Sequence, residues 1–417
     1  MQSNSFGFIL WIFPANCRTE RSKERLPCVS GLYVPAKVRG IVPVENNEPM
    51  SFLRTLLAFS LLFQGQGGHS QSSQSLKQEV DKVLYLDSKV DFERSPGISI
   101  ALFIGDSTYT FHYGRADRAA ATAPTDTTLY ELGEVTQLFT AVLIHRLAGQ
   151  GLLELEGAFG KYLSVPDSSL AHLSVRQCLR HRSGLPRLPE GFGERIVDPD
   201  NPYGNYSTQT FLTQLTALAV HSGEPAPYRF SNLNYALLGA LAAQRQGQTY
   251  DRLLRDQVLD PLGLSWTHLQ EDSAFLRFYA AGYDKSGKQT ARWQLEAFEP
   301  ALGLRSNLLD LIRFCRLFLQ QSPLAGFTAE EMMEDPQPTN VEKNFYVGDG
   351  WHLRRLKKYY PVWLHTGATS GCRAYVALVP QTRTGVIVLS NSPYGLGGLG
   401  WQLLRMLNHD WKKRGNR

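Results

Sequence analysis

The stretch LYELGEVTQLFTAVL, residues 129–143, places a glycine and a glutamate ahead of an apolar run. Val135, Leu138, Phe139 and Val142 recur at intervals of three and four, which predicts a helix with one apolar face. The helix should run to about Gln150, where Gly151 stops it. Glu134 stands at its head, and Gln137, three residues on, shares its face one turn away. A polar pair there is a working site, the remains of one, or ordinary helix surface, and the rest of the chain has to decide which.

Working outward, SLKQEVDKVLYLDSK has helical spacing, after a polar linker at residues 64–76. GISIALFIG and STYTFHYG predict two strands joined by a Gly-Asp-Ser turn. From about 170 to 300 the patterns are short and helical, broken by Pro and Gly: FLTQLTALAVH, NYALLGALAAQRQ, YDRLLRDQVLDPLGL. SNLLDLIRFCRLFLQ is a further amphipathic helix, and GGLGWQLLRMLNHDWKK closes the chain as another. KYYPVWLHTG, RAYVALVP and TGVIVLSN add three strands. Strands near both ends with helices between them imply a sheet assembled from distant segments, an α+β fold with a helical insertion at about 170–300.

The chain has 417 residues, 43% apolar and 19% charged, enough to bury a large core. Its formal charge of +5 overstates the basicity of the folded part. Residues 1–69 hold seven Lys/Arg and four Asp/Glu, which leaves 36 against 34 for the remainder. No basic stripe remains, so nucleic acid is not an expected partner. Met50 opens MSFLRTLLAFSLLFQGQGGHSQSSQS, with Arg54, an apolar run from Leu56 to Phe63, then small and polar residues. That is the pattern of a secretory signal peptide at 50–69, without a clear A-x-A cleavage site. The run is too short to span a bilayer, which takes about 20 apolar residues. Residues 1–49 read as an unstructured upstream extension, and 77–417 as the working domain. The product should be exported, periplasmic or extracellular. Cys178, Cys315 and Cys372 fall in the domain, an odd number, so at least one is free or pairs outside the chain. No CxxC or His/Cys cluster suggests a metal, and no cofactor is expected. The NYS at Asn205 accepts a glycan only in a eukaryotic secretory route.

From about Pro96 onward the chain resembles the β-lactamase-related serine hydrolases: class C β-lactamases, D,D-peptidases of the penicillin-binding-protein group, and related esterases. The likeness rests on segments in order: PGISIALFIGD, YGRAD, TDTTLYELGEVTQLFTAVLIHRLAGQGLLELEGAFGKYL, HLSVRQCLRHRSGLP, RFSNLNYALLG, DPLGLSWTHL, GLRSNLLDLIRF, DGWHL, LHTGATSG and VIVLSN. It implies a β-lactamase/transpeptidase-like α+β fold, an antiparallel sheet flanked by helices. It also implies three catalytic stations. A Ser-x-x-Lys motif opens a helix, a Tyr-x-Asn motif handles protons and orients substrate, and a Lys-Thr-Gly or His-Thr-Gly strand forms the far wall.

On that resemblance the serine position holds Glu134, the lysine position Gln137 and the tyrosine position Phe230. Asn232 is retained, as are His365, Thr366 and Gly367, and the backbone donors of the oxyanion hole would belong to Glu134 and Ala368. None of the 13 lysines has a serine three residues earlier, so a shifted register does not restore the motif. Gln carries no ionisable group and Phe no hydroxyl, whereas acyl transfer needs an activated nucleophile and a base. A glutamate at a helix head gains about 0.3–1 kcal/mol from the unpaired N–H groups there. Glu134 is therefore expected to sit where a substrate anion would, with Gln137 bonding to it or to Asn232.

Three functional readings remain. The first is a catalytically inactive protein binding a small-molecule or peptide, cell-wall-like ligand. The second is an enzyme of altered chemistry using His365 as base and Glu134 as its orienting carboxylate. The third is a structural protein that kept only the fold. Cys372 after HTGATSG is expected to be a small core hydrophobe, not a nucleophile. GFGERIVDPDNPYGNY is a loop whose aromatic tip either roofs the pocket or is plain surface. RRLKKYY at 354–360 is a solvated hairpin or an anion contact.

Overall fold

The computed structural model describes residues 67–163, 169–215, 225–319, 328–356, 360–394 and 398–408. The chain divides into two units, Met1–Ser72 and Ser73–Arg417, and the fold is that of the second. The extension at 1–49 and nearly all of the signal at 50–69 lie outside the described residues. Helix α1 (Gly67–Lys82) begins within the stretch expected to be a polar linker.

Strand β1 (Gly97–Ile104) shows why the sheet is central. Ile98, Ile100 and Leu102 enter one core, while Ala101 and Phe103 enter the other. Successive strand side chains point to opposite faces, so a strand buried at every position from Gly97 to Phe103 must be covered on both. β1 pairs with β2 (Ser107–Gly114) in the expected hairpin. Its other edge pairs with β10 (Thr384–Ser390), from the far end of the chain. After β2 the elements run β3 (Tyr130–Glu131), α2 (Thr136–Gly149), α3 (Val175–Leu179), α4 (Thr208–Leu215), α5 (Asn232–Gln246), α6 (Tyr250–Leu254), α7 (Glu299–Leu302), β4 (Arg305–Ser306) and α8 (Leu308–Leu319). Then come β5 (Gln337–Pro338), β6 (Phe345–Val347), β7 (His352–Arg354), β8 (Val362–Ala368), β9 (Arg373–Val379), β10 and α9 (Leu399–Leu407). The main sheet has eight strands in the order β2-β1-β10-β9-β8-β7-β6-β5, with every pairing antiparallel. This is the α+β architecture expected. Strands β5, β6 and β7 were not foreseen, because two or three residues are too few to show alternation.

One face of the sheet is covered by α1, the helical turn Val83–Asp87 that follows it, and α9, where Val80, Leu84, Leu399 and Leu403 meet Ile98, Ile100 and Val388. The other face carries α2 and α8. Every side chain from Thr136 to Leu147 is buried, so α2 is not the one-faced helix its spacing predicted. It is enclosed by α5, α6 and α7 and by Phe314 of α8, and the apolar positions between the stripe residues are buried as well. Phe139 stacks on Phe314 of α8 at 3.9 Å and 11°. The segment DGWHL gains a structural reason: Asp349 is fully buried and accepts hydrogen bonds from Arg180 (2.6 Å), Arg176 (2.8 Å) and His145 (3.0 Å). The described elements between α3 and α7 are all helical, built around α5.

Candidate functional site

Glu134 sits in a 3-10 turn, Gly133–Val135, that feeds directly into α2. Strand β8 passes against this turn with almost no clearance. A Cβ on Gly367 would fall 2.1 Å from the Leu132 carbonyl and 2.6 Å from the Glu134 nitrogen. A Cβ on Gly133, whose φ is +53°, would fall 2.5 Å from the Ala368 nitrogen. Two glycines therefore let backbone meet backbone, which fixes the Ala368 N–H at the mouth of the turn.

That N–H is already engaged. It donates to Glu134 Oε2 at 2.9 Å, while Arg187 donates to Glu134 Oε1 at 2.7 Å. Glu134 is 8% exposed, and the Arg187 side chain is 46% exposed, so the pair lies at the rim of the interior. Arg187 also lies over the Phe230 ring, 5.1 Å from its centroid. Behind the carboxylate, Gln137 donates from Nε2 to Asn232 Oδ1 at 3.1 Å, and both residues are buried. Of the two partners expected for Gln137, the structure selects Asn232. Ser231 caps α5, accepting from the Asn234 N–H, which sets Asn232 in the first turn facing α2.

His365 lies on β8, three residues before Ala368, and is 1% exposed. Its Nδ1 bonds the Thr366 carbonyl at 3.1 Å, and its Nε2 has no hydrogen-bond partner in the protein. The pair expected in the altered-chemistry reading is absent: both Glu134 oxygens are bonded elsewhere, and neither His365 nitrogen bonds a carboxylate. Burial, with the nearby His352 ring second, pushes the His365 imidazole down to about 3, so it stays neutral and is a poor base near pH 7. Thr366 is exposed.

Several residues here carried no signal in sequence. His181 packs against Phe230 with ring centroids 4.4 Å apart, and His352 stands 5.4 Å from His365 and 6.4 Å from His181. Tyr228 bonds His352 Nε2 at 2.8 Å. Burial holds His181 well below its ordinary value and brings His352 to about 4. Tyr203, from the GFGERIVDPDNPYGNY loop, is buried against Phe298 and Trp293. The aromatic tip of that loop is thus core, not a surface flap. Tyr203 returns a phenol to the site, but burial first and the Glu134 charge second push its ionisation upward. Phe192 and Tyr206 of the same loop pack beside it. Arg187 sits among the prolines of GLPRLPE, where no periodicity announces a side-chain direction.

Cys178, Cys315 and Cys372 are all buried and free. Burial raises the Cys372 thiol, which removes it as a replacement nucleophile. In RRLKKYY, residues 357–359 lie outside the described residues, and the flanking strands β7 and β8 pair as a hairpin. Among the described residues no cluster of His, Cys, Asp or Glu is placed to hold a metal ion. No described helix is long and apolar enough to cross a membrane.

This geometry sits within a known framework. The family model described as Beta-lactamase matches residues 85–405. The chain belongs to the beta-lactamase family. A beta-lactamase of Providencia stuartii is 25% identical over 354 residues, covering 76% of this chain and 86% of that protein. One from Pseudomonas fluorescens is 28% identical over 331 residues, covering 72% and 89%. Among solved structures a class C beta-lactamase aligns with a TM-score of 0.68 at 22% identity, over 81% of this chain and 97% of that one. An octameric penicillin-binding protein homologue from Pyrococcus abyssi aligns at 0.67 and 23%, over 81% and 77%.

Proposed function

We propose that this beta-lactamase-family protein binds a ligand beside Glu134 and Arg187 without turning it over. One observation carries the reading: the Glu134 carboxylate occupies the Ala368 N–H and the Arg187 guanidinium at 2.9 and 2.7 Å. An oxyanion in an acyl-transfer reaction needs such donors free, and a fixed carboxylate in their place repels the charge that would develop. Gln137 has no proton-accepting base to offer, and Phe230 has no hydroxyl, so a nucleophile would lack activation even if one were present. The neutral, inward-turned His365 argues against the altered-chemistry reading. The ligand class is a small molecule or a peptide, cell-wall-like fragment, and nucleic acid is not a partner. Export to the periplasm or the medium follows from the Arg54 and Leu56–Phe63 pattern after Met50.

The test is intact-mass spectrometry after incubation with a labelled β-lactam and, separately, a fluorophosphonate. The protein should stay at its unmodified mass with both. A stoichiometric adduct that disappears in Glu134→Ala would overturn the reading and make Glu134 a working nucleophile.

A further inference from the structure

A cavity of 610 Å3 opens between helix α6 and the segment 265–275, and Asp251, Arg255, His268, Glu271 and Phe275 are among the residues that line it. Its size is that of a small-molecule site. None of its lining residues belongs to the Glu134 site.

Most of its polar side chains are already engaged. Glu271 is paired with Arg292 at 2.5 Å, and Asp272 accepts the Ala274 N–H at 2.8 Å. Both ring nitrogens of His268 are bonded, one to the Trp266 carbonyl and the other to the Tyr279 hydroxyl. Two charges are left over. Asp251 and Arg255 stand at i and i+4, the spacing at which a helix forms ion pairs, and the next such pair, Arg252 with Asp256, is made at 2.8 Å. At Arg255, however, α6 passes into a wider π turn, Arg255–Leu259. Among the described residues Asp251 makes no ion pair, and Arg255 reaches only Asp260, at 4.0 Å. Water solvates such charges but does not neutralise them.

The acidic side of the cavity has negative charge to spare. Gln270, also in the lining, donates to Glu299. Burial first and the Asp251 charge second push the Glu299 carboxyl up to about 7, so the two carboxyls disfavour each other's charge. A simple anion bound at Arg255 would face Asp251, and a simple cation bound at Asp251 would face Arg255. A molecule that carries both charges on neighbouring atoms meets each with its opposite. Phe275, stacked on His268 at 5.1 Å and 9°, gives the same cavity an apolar wall.

We infer that this cavity binds a free α-amino acid with an apolar side chain, its carboxylate on Arg255, its ammonium on Asp251 and its side chain against Phe275. The site is independent of the binding role proposed for Glu134 and Arg187, so either can fail without the other.

The experiment is isothermal titration calorimetry of the full chain with L-phenylalanine, and in parallel with phenethylamine, which lacks the carboxylate, and 3-phenylpropanoate, which lacks the ammonium. L-phenylalanine should bind saturably, and each of the other two should bind at least about tenfold more weakly, the worth of one charge-assisted hydrogen bond. Arg255→Met should bring L-phenylalanine down to about the affinity of phenethylamine, and Asp251→Asn to about that of 3-phenylpropanoate. Both side chains are partly exposed, so neither change empties the core. No saturable binding of L-phenylalanine would overturn the inference, as would equal binding of either single-charge probe. Binding that both variants leave unchanged would put the amino acid elsewhere on the protein and overturn it too. The comparison of the three probes on the unaltered protein stands whatever the variants do.

Discussion

The Arg187–Glu134 pair gives the sharpest energetic test of the site, through the changes Arg187→Met and Glu134→Gln made singly and together. The contact is 2.7 Å between heavy atoms. Taking charge centres about 4 Å apart, Coulomb's law gives about 4 kcal/mol at an effective dielectric of 20 and about 1 kcal/mol in water. Glu134 is buried but Arg187 is half exposed, so solvent screens the pair from one side. A coupling of about 1.5–2 kcal/mol is expected, between the figures for exposed and buried pairs. Arg187→Met also loses the guanidinium over Phe230, worth about 0.5–1 kcal/mol. That term appears in both arms of the cycle and cancels. Glu134→Gln keeps an oxygen for the Ala368 N–H, so the cycle isolates the charge. Urea denaturation of the four proteins gives the coupling, and raising salt to 1 M should reduce it. A coupling below about 0.5 kcal/mol would mean that Arg187 is an onlooker, and the account of Glu134 as a clamped internal anion would fail.

Three further outcomes are expected. Glu134→Ala should leave the Ala368 N–H and Arg187 free for a small anion, so acetate should raise the melting temperature of that variant and not of the unaltered protein. The change Glu134→Ser alone should form no acyl adduct, whereas Glu134→Ser with Gln137→Lys and Phe230→Tyr restores nucleophile, base and phenol, and should acylate slowly with a labelled β-lactam. The third concerns pH. His352, at about 4 in the folded protein against about 6.5 unfolded, is neutral when folded while the unfolded chain takes up a proton. Its stabilisation is whole above about pH 6.5 and is lost as pH falls towards 4, at up to about 1.4 kcal/mol per unit. Carboxyls raised by burial, such as Glu299 at about 7, act in the opposite sense, so the clean measurement is a difference. His352→Gln should flatten the slope of stability between pH 6 and 4 by about one histidine's share, and an unchanged slope would show that His352 titrates alike in both states.

The sheet was legible where its strands were long. GISIALFIG, RAYVALVP and TGVIVLSN are apolar at nearly every position, and as β1, β9 and β10 they are buried on both faces. The short strands β5, β6 and β7 are silent because pairing with a neighbour, not residue pattern, makes them strands. The spacing of α2 gave its existence but not its surroundings. A one-faced pattern is what a helix needs at least, and a helix enclosed on all sides also buries the residues between.

For the site, the family likeness located Glu134, Gln137 and Asn232, and the structure shows which bonds they form. What it could not supply was the partner of the carboxylate. A buried glutamate needs a cation or several N–H groups, because an unpaired charge in the interior costs far more than folding leaves to spare. Sequence states that demand without saying which arginine meets it. Arg187 meets it from a proline-bracketed loop whose path is set by tertiary packing, and the loop's Asn232 contact, its carbonyl accepting the Asn232 N–H at 3.0 Å, ties that path to α5. The same segment therefore holds the cation over Phe230 and the capped start of α5 in one arrangement. Glu134 is thus tied to its surroundings on both carboxylate oxygens. A serine in its place would leave Arg187 and the Ala368 N–H without their anion. The change Glu134→Ser should therefore cost stability whether or not it brings any chemistry, which is what the serine variants above are built to detect.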